Sequence, residues 1–223
     1  HPLGYVTGFY RRYLIEPAVS FPNPPSPGLG NDAFLTRLLL HTIRFSGLSP
    51  DAILYGGYII AWAAIVVVFF LLIESFFNLK IALLAAFLFT FSPIQYINYW
   101  SMLWKNTLAT LFLFLAFWAI NKKSWVLIPL TIAISFTHQT TSIFYILILA
   151  IYFLLNFKNA NKQEFLKLTI SLGSALVIFL FLHLDFYKNF IHLPVATFVK
   201  LPLYIKISIP LFLLTVFGFK DFI

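Results

Sequence analysis

Long apolar runs separated by short polar breaks make up most of the chain after residue 52. The runs are continuous rather than alternating, and they are long, which favours helices over strands. Because a helix needs roughly 20 apolar residues to cross a hydrocarbon core about 30 Å thick, the pattern predicts an all-α polytopic membrane protein with about seven transmembrane helices. The predicted spans are 53–73, 81–92, 106–120, 125–136, 142–156, 168–184 and 205–219.

The first 52 residues have a different pattern, with prolines at positions 17, 22, 24, 25 and 27. Proline interrupts helices, so this segment predicts an extracytoplasmic loop that precedes the bundle of residues 53–223. Within the loop, residues 32–46 predict an amphipathic helix that begins at the capping pair Asn31 and Asp32. One face carries Phe34, Leu35, Leu38, Leu39 and Phe45, and the opposite stripe carries Arg37, His41 and Arg44. This division is typical of a helix that lies in the membrane interface.

Three further signals divide the bundle. Between the second and third spans, Tyr96, Tyr99, Trp100 and Trp104 are residue types typical of the headgroup level, so this connection predicts an aromatic belt along one interface. Ser49, Pro50 and Asp51 form a helix-start signature, because they supply a capping hydroxyl, a proline for the first turn and an acid near the positive helix end. Residues 124–157 carry no formal charge, and 34 residues of helix would measure about 50 Å, too long for one crossing. We therefore expect a break at the polar string THQTTS, residues 137–142.

Composition excludes a water-soluble domain, because 61% of the residues are hydrophobic and only 10% are charged. The net charge of +8 is dispersed along the chain, which argues against nucleic-acid binding. There is no cysteine, so thiol chemistry and Cys-based metal sites are excluded. The chain begins with His1 and its last apolar run stops abruptly, which indicates truncation at both ends.

The short loops define an orientation. Six lysines lie in the connections that would face the cytoplasm if residues 1–52 are outside, and the positive-inside bias favours that arrangement. They are Lys80, Lys122, Lys123, Lys158, Lys162 and Lys167. The spans 106–120 and 125–136 are short, about 22 and 18 Å, so they predict a recess open to the outside. Its expected lining is Lys105, Asn106, His138, Gln139, Thr140 and Thr141.

The order of these features resembles the GT-C glycosyltransferases that use polyprenyl-phosphate sugars, and within them the prokaryotic proteins related to the protein O-mannosyltransferases. The resemblance is carried by the proline-rich loop, the interfacial helix ending in Gly47 and SPD, and the strings FSPIQYINYWSMLWKNTLATLFLFLAFWAI and ISFTHQTTSIFYILI. It covers residues 1–160. It implies an enzyme of the prokaryotic plasma membrane whose active site faces the cell exterior and moves a sugar to an acceptor that the sequence does not identify.

The resemblance also implies roles for individual residues. An acid in the first outer loop would deprotonate the acceptor or position a divalent cation such as Mg²⁺ or Mn²⁺, and basic residues would hold the lipid phosphate. Among Glu16, Asp32 and Asp51, we assign the catalytic role to Asp32, because the other two have simpler explanations as a loop charge and a helix-start residue. The expected phosphate- or substrate-binding residues are Arg11, Arg12, Lys105, His138 and Gln139. No protein metal ligands are assigned.

The chain also departs from the family pattern. It has no Asp-x-Asp motif, and the helix expected before the loop is missing, which leaves open that the principal acid lies upstream of His1. Each binding candidate has a structural alternative: Lys105 as a lysine reaching the interface, His138 as a helix-connecting residue, and the two arginines as headgroup contacts. Two other functions stay open, a multi-spanning transporter or lipid flippase and a non-catalytic membrane subunit.

Overall fold

A computed structural model describes residues 10–11, 14–15, 34–93, 103–157 and 160–190 of the chain. These residues fold almost entirely into helices, and no strand occurs in the described ranges. The helices are α1 (Phe34–Arg44), α2 (Gly57–Phe76), α3 (Leu79–Thr90), α4 (Trp104–Asn121), α5 (Leu127–Thr137), α6 (Gln139–Asn156) and α7 (Lys162–Phe190). A π-helical turn, Ala52–Gly56, leads directly into α2. The predicted all-α class is therefore confirmed.

Short polar side chains begin several of these helices, as the sequence predicted for the first. The backbone N–H of Ala52 donates to the hydroxyl of Ser49 at 3.2 Å, so Ser49 is the cap. Asn78 caps α3 by accepting from the N–H of Ile81 at 3.0 Å, and Asn161 accepts from the N–H of Glu164 at 2.9 Å in the first turn of α7. Each cap satisfies a backbone donor that the helix itself leaves open.

Two helices are long and apolar enough to cross a membrane, Ala52–Phe76 with 25 residues and Lys162–Phe181 with 20. Only 17% and 28% of their most apolar windows are buried inside the protein. Their outward side chains are large and apolar, as at Ile60, which is 71% exposed, and Val177, which is 67% exposed. Exposed apolar area of this extent is unfavourable in water.

The other predicted spans agree with the structure to different degrees. The spans predicted at 81–92 and 125–136 are α3 and α5, whose 12 and 11 residues are close to the predicted lengths, so each rises only about 16–18 Å. The span predicted at 106–120 is longer than expected, because α4 has 18 residues and rises about 27 Å. The predicted break at 137–142 narrows to His138, since α6 already begins at Gln139. The span predicted at 205–219 lies outside the described residues.

The amphipathic helix predicted at residues 32–46 is present as α1, Phe34–Arg44, but its buried face is shifted from the one expected. Thr36 and Leu40 are fully buried, whereas Leu38 and Phe45, predicted on the apolar face, are 41% and 78% exposed. The buried face packs on α5 and α4. A helix that is apolar on more than one side can pack against protein on one side and leave apolar groups outward on another, which periodicity alone does not separate.

The helices have two hydrophobic clusters at opposite ends of α4. The first cluster joins Tyr10, Leu14 and Leu40 to the start of α2 and α4, through Ile53, Leu54, Tyr58, Ala61, Trp104 and Leu108. The second lies between the end of α4 and helices α5, α6 and α7. We call these the Tyr10 end and the Lys123 end. Helix α2 runs parallel to α4, since Tyr58 bonds Thr107 near one end and the Ser75 carbonyl accepts from Asn121 at the other.

The chain divides into two compact units, residues 1–183 and 184–223. Helices α1 to α6 and residues 162–183 of α7 belong to the first unit. Of the second unit, the structure describes the backbone of residues 184–190, which continue α7 as helix.

Candidate functional site

The Tyr10 end brings the start of the chain against the first turns of α2 and α4. Tyr10 is fully buried, and its hydroxyl accepts a hydrogen bond from the backbone N–H of Lys105 at 3.3 Å. Leu14, one helical turn later, is also buried in the first cluster. The segment that carries the predicted binding residue Arg11 is therefore held beside Lys105 by packing and by a hydrogen bond.

Arg11 forms a salt bridge with Asp51. Its Nε lies 3.2 Å from Oδ1 of Asp51, and both side chains are more than half exposed, at 52% and 60%. An exposed pair of this kind contributes little stability. Asp51 was expected to act as a helix-start residue, but its side chain makes no capping hydrogen bond, and its observed partner is Arg11. An anion that binds Arg11 must therefore share it with Asp51.

Lys105 lies in the first turn of α4, where the backbone dipole is positive. The cap residue Leu103 makes no side-chain hydrogen bond, and the Tyr10 hydroxyl accepts from one of the first N–H groups, that of Lys105. A cationic side chain at the positive end of a helix attracts anions. Directly before it, Trp104 was interpreted from the sequence as part of an interfacial aromatic belt with Tyr96, Tyr99 and Trp100. The structure contradicts this for Trp104, which is only 4% exposed and packs edge-on against Tyr58 at a ring-centroid distance of 5.5 Å.

Several buried polar atoms around this point have no hydrogen-bond partner among the described residues. Two lie in the first turn of α4, the indole Nε1 of Trp104 and Oδ1 of Asn106, and two lie on α1, Oγ1 of Thr36 and Nδ1 of His41. An unpaired buried donor or acceptor costs about 1–3 kcal/mol, so such atoms are usually rare. Helices α1 and α4 are in contact, so these unpaired atoms are concentrated at the Tyr10 end. A polar ligand at this end could supply their missing hydrogen bonds.

His138 separates α5 from α6. Its Nδ1 accepts from the backbone N–H of Thr141 at 3.4 Å and lies 2.8 Å from the Thr141 hydroxyl, so the imidazole caps α6. An acceptor role for Nδ1 puts the proton of the neutral ring on Nε2. The alternative that His138 is a helix-connecting residue thus has a direct structural basis. The side chain of Gln139 is not among those described.

Helices α5 and α6 form an antiparallel hairpin whose apex is His138. Thr131 and Tyr145, seven positions before and after it, are hydrogen bonded through their hydroxyl groups at 2.7 Å. Helix α5 rises about 16 Å from the Lys123 end, whereas α4 rises about 27 Å. Helix α1 packs on both of them. The recess expected above these helices stays a prediction.

The hydroxyl groups inside this hairpin already have partners. Ser135 donates to the carbonyl of Thr131 at 3.0 Å, and Ser142 donates to the carbonyls of Ile134 and His138 at 3.0 and 2.9 Å. With the Thr131–Tyr145 pair they form a fully buried and satisfied seam. Such hydroxyls bind helices to one another in apolar surroundings. They do not offer unused atoms to a substrate.

The described residues contain no group of three or more His, Asp or Glu side chains that could hold a metal ion. At the Tyr10 end, Asp51 is the acid whose side chain is described, and it faces Arg11. The residues described there supply one carboxylate, which Arg11 already pairs, so they do not fit a divalent cation. Asp32, Arg12 and Glu16 lie outside the described residues.

Comparisons of the chain with protein-family models, with curated proteins and with solved structures found no match. The Tyr10 end combines Arg11, Lys105, the positive end of α4 and unpaired buried polar atoms, with His138 deeper in the protein.

Proposed function

We propose that the protein is integral to a prokaryotic plasma membrane, with the Tyr10 end outside and the Lys123 end in the cytoplasm. The support for the membrane is the exposed apolar surface of the two long helices. The support for the orientation is the lysine distribution, because Lys122, Lys123, Lys162 and Lys167 all belong to short connections or helix starts at the Lys123 end. On this basis about seven crossings stay the predicted number for the whole chain.

We further propose that the protein transfers a sugar from a polyprenyl-phosphate donor to an acceptor on the extracytoplasmic face. The observation that carries the proposal is the set of unpaired polar atoms around buried Trp104, beside the cation of Lys105 in the first turn of α4. A lipid-linked sugar phosphate presents an anion at membrane depth with hydroxyl groups around it. That combination matches N–H donors, an acceptor oxygen and a cation placed together.

The reaction assigns a separate task to each group. The acceptor hydroxyl attacks the anomeric carbon of the sugar, a new glycosidic bond forms, and the bond from that carbon to the phosphate oxygen breaks. Asp32 takes the hydroxyl proton, and polyprenyl phosphate departs with the bonding electrons. Lys105, together with Arg11 and Arg12, stabilises the phosphate charge, which grows as the bond breaks. His138, Gln139 and the Trp104 N–H donate to sugar or phosphate oxygens.

A transporter or lipid flippase is the second candidate, because a short hairpin beneath an interfacial helix also suits a passage for a polar headgroup. The satisfied hydroxyl seam of the hairpin weakens this alternative, since a passage needs polar atoms that are available to the cargo. A non-catalytic subunit would need none of the unpaired atoms at the Tyr10 end.

The test is sugar transfer by membranes that contain the protein, with a radiolabelled polyprenyl-phosphate sugar as donor and a mixture of extracytoplasmic acceptors. Lys105→Met should lower the rate about 10²-fold, the usual effect of losing one charge-stabilising group. Lys80→Met is the matched control, because Lys80 lies in the first turn of α3 near the opposite end and is exposed. Asp32→Asn and His138→Gln should also lower the rate.

Equal rates for Lys105→Met and Lys80→Met would remove the phosphate-binding site from the Tyr10 end. Movement of the intact donor across vesicles, without transfer of the sugar, would replace the enzyme by the flippase alternative.

A further inference from the structure

The Lys123 end contains a buried lysine that the proposed reaction does not use. Lys167, on α7, is only 6% exposed, and its Nζ donates to the backbone carbonyl of Lys123. The ring of Trp125 lies 5.5 Å from the same nitrogen. An ammonium group has three N–H donors, and a single oxygen acceptor is present among the described residues. Burying a cation with so few acceptors is costly, which makes this position unusual.

The turn that supplies the carbonyl is itself strained. Helix α4 ends in a Schellman motif, in which the N–H of Ser124 bonds the carbonyl of Ala119 at 2.9 Å and the N–H of Lys123 bonds that of Ile120 at 3.0 Å. The motif places Lys123 at φ 52°, a left-handed position that favours glycine and costs other residues about 1–2 kcal/mol. The sequence nevertheless has a lysine there, and its Nζ lies 2.9 Å from Glu164.

These groups line a cleft between α4, α5, α6 and α7. Its charged and hydroxyl-bearing lining includes Lys123, Ser124, Glu164 and Lys167, and its apolar lining includes Ile120, Leu127 and Leu168. The N–H of Val126 donates to the hydroxyl oxygen of Ser124 at 3.2 Å, so the hydroxyl hydrogen of Ser124 can still donate to a ligand. Lys122 and Lys162 are exposed beside the cleft.

We propose that this cleft binds the phosphate of an anionic membrane lipid, with the headgroup at Lys167 and Ser124 and the first part of an acyl chain along the apolar side. The net positive charge of the cleft favours an anionic ligand, since two lysines and one carboxylate line it and two more lysines flank it. The apolar wall decides between a lipid and a free phosphate ion, because only the lipid can cover it. Basic pockets between helices on the cytoplasmic side are suited to anionic headgroups.

Glu164 sets the strength of this site. Its carboxylate holds the Nζ of Lys123 at 2.9 Å, and it would repel a phosphate at Lys167. A bound lipid therefore competes with Glu164 for Lys123. The lipid in turn supplies Lys167 with acceptors that the protein does not provide, and it ties the α4–α5 turn to the start of α7.

The inference depends on the proposed membrane location but not on sugar transfer, so its test uses lipid retention. The protein is purified from mixed phosphatidylcholine and phosphatidylglycerol vesicles, and the lipid that stays bound is counted by native mass spectrometry. Lys167→Met should retain phosphatidylglycerol at least about fivefold less well, the effect of removing one lysine at a membrane surface. Lys80→Met, the matched exposed lysine, should retain as much as the unmodified protein.

Glu164→Gln provides an arm that does not depend on removing the buried lysine. It frees Lys123, so it should increase the retention of phosphatidylglycerol over phosphatidylcholine. Unchanged or lower retention in Glu164→Gln would overturn the proposal. Lys123, Glu164 and Lys167 would then only hold the α4–α5 turn against α7. Equal losses of phosphatidylglycerol retention in Lys167→Met and Lys80→Met would show that general surface charge, and not the cleft, holds the lipid. That result would also overturn the proposal. If inorganic phosphate displaces the retained phosphatidylglycerol in detergent, the apolar side of the cleft contributes nothing to binding. That result would overturn a lipid as the ligand.

Discussion

Trp104 gives the most direct test of the unpaired atoms at the Tyr10 end. Replacement by phenylalanine keeps an aromatic ring against Tyr58 but removes the indole N–H, which has no partner among the described residues. Removing an unsatisfied buried donor raises the free energy of unfolding by about 1–3 kcal/mol. The smaller ring leaves a cavity in the first cluster and loses about 1–2 kcal/mol of packing. We therefore expect the free energy of unfolding of Trp104→Phe to stay within about 1 kcal/mol of the original.

The same replacement should strongly reduce sugar transfer, because it removes a donor proposed to bind the substrate. The matched control is Trp118→Phe, which changes a partly buried tryptophan at the second cluster, away from the proposed site. That variant loses the packing without relief of an unpaired donor, so it should be the less stable of the two and should keep its transfer activity. Unfolding is followed by tryptophan fluorescence in lipid discs, and transfer is measured on the same preparations.

A loss of more than about 3 kcal/mol in Trp104→Phe would refute the reasoning, since it would mean that the indole N–H makes a strong bond in the folded protein. Full transfer activity in a stable Trp104→Phe protein would remove the tryptophan from the site.

Two further predictions concern packing and charge at the two ends. A methyl group on Gly57 would lie 3.1 Å from the Trp104 ring, so Gly57→Ala should lower the unfolding midpoint, whereas Gly56→Ala, with nothing within 4 Å, should not. At the Lys123 end, the hydrogen bond from Lys123 to Glu164, followed by their charge attraction, raises the pKa of the lysine above its usual 10.5. The stability from this raised pKa is therefore complete below pH 10.5 and is lost as the pH rises through the folded value. Alkaline unfolding should show this loss, and Glu164→Gln should abolish it.

The sequence predicted the helical class, the start of the first long helix at Ser49 and the break near His138 for clear physical reasons. Apolar runs, a capping hydroxyl and a polar string inside an uncharged segment are all local signals. The amphipathic helix α1 was likewise predicted, from its division into an apolar face and a basic stripe. What these signals could not give was the packing partner, and so the buried face of α1 turned out to be that of Thr36 and Leu40.

Contacts between distant residues were beyond the sequence. Helices α2 to α6 are apolar nearly all round, so their periodicity does not reveal which face meets protein and which meets lipid. For that reason Trp104 was assigned to the interface although it is buried, and α4 was expected to be shorter than it is. Lys167 was counted only as a loop charge. Its burial depends on the left-handed turn at Lys123, and no spacing in the sequence indicates that turn.

Of the predicted site residues, the structure places Arg11 and Lys105 at one end of the bundle and His138 deeper toward the same end. Arg11 and His138 proved to have structural partners, Asp51 and Thr141, that sequence spacing did not indicate as such. The unpaired atoms of Trp104 and Thr36 add to this set, and only their burial identifies them.

Opposite exposure of the two ends of the bundle can be measured directly, because the chain has no cysteine and single cysteines can be introduced without background labelling. Ser46 follows α1 at the Tyr10 end, Lys122 follows α4 at the Lys123 end, and both are exposed. With a membrane-impermeant maleimide, Ser46→Cys should react in intact cells and Lys122→Cys only after permeabilisation. Reaction of both cysteines from the same side would contradict the account.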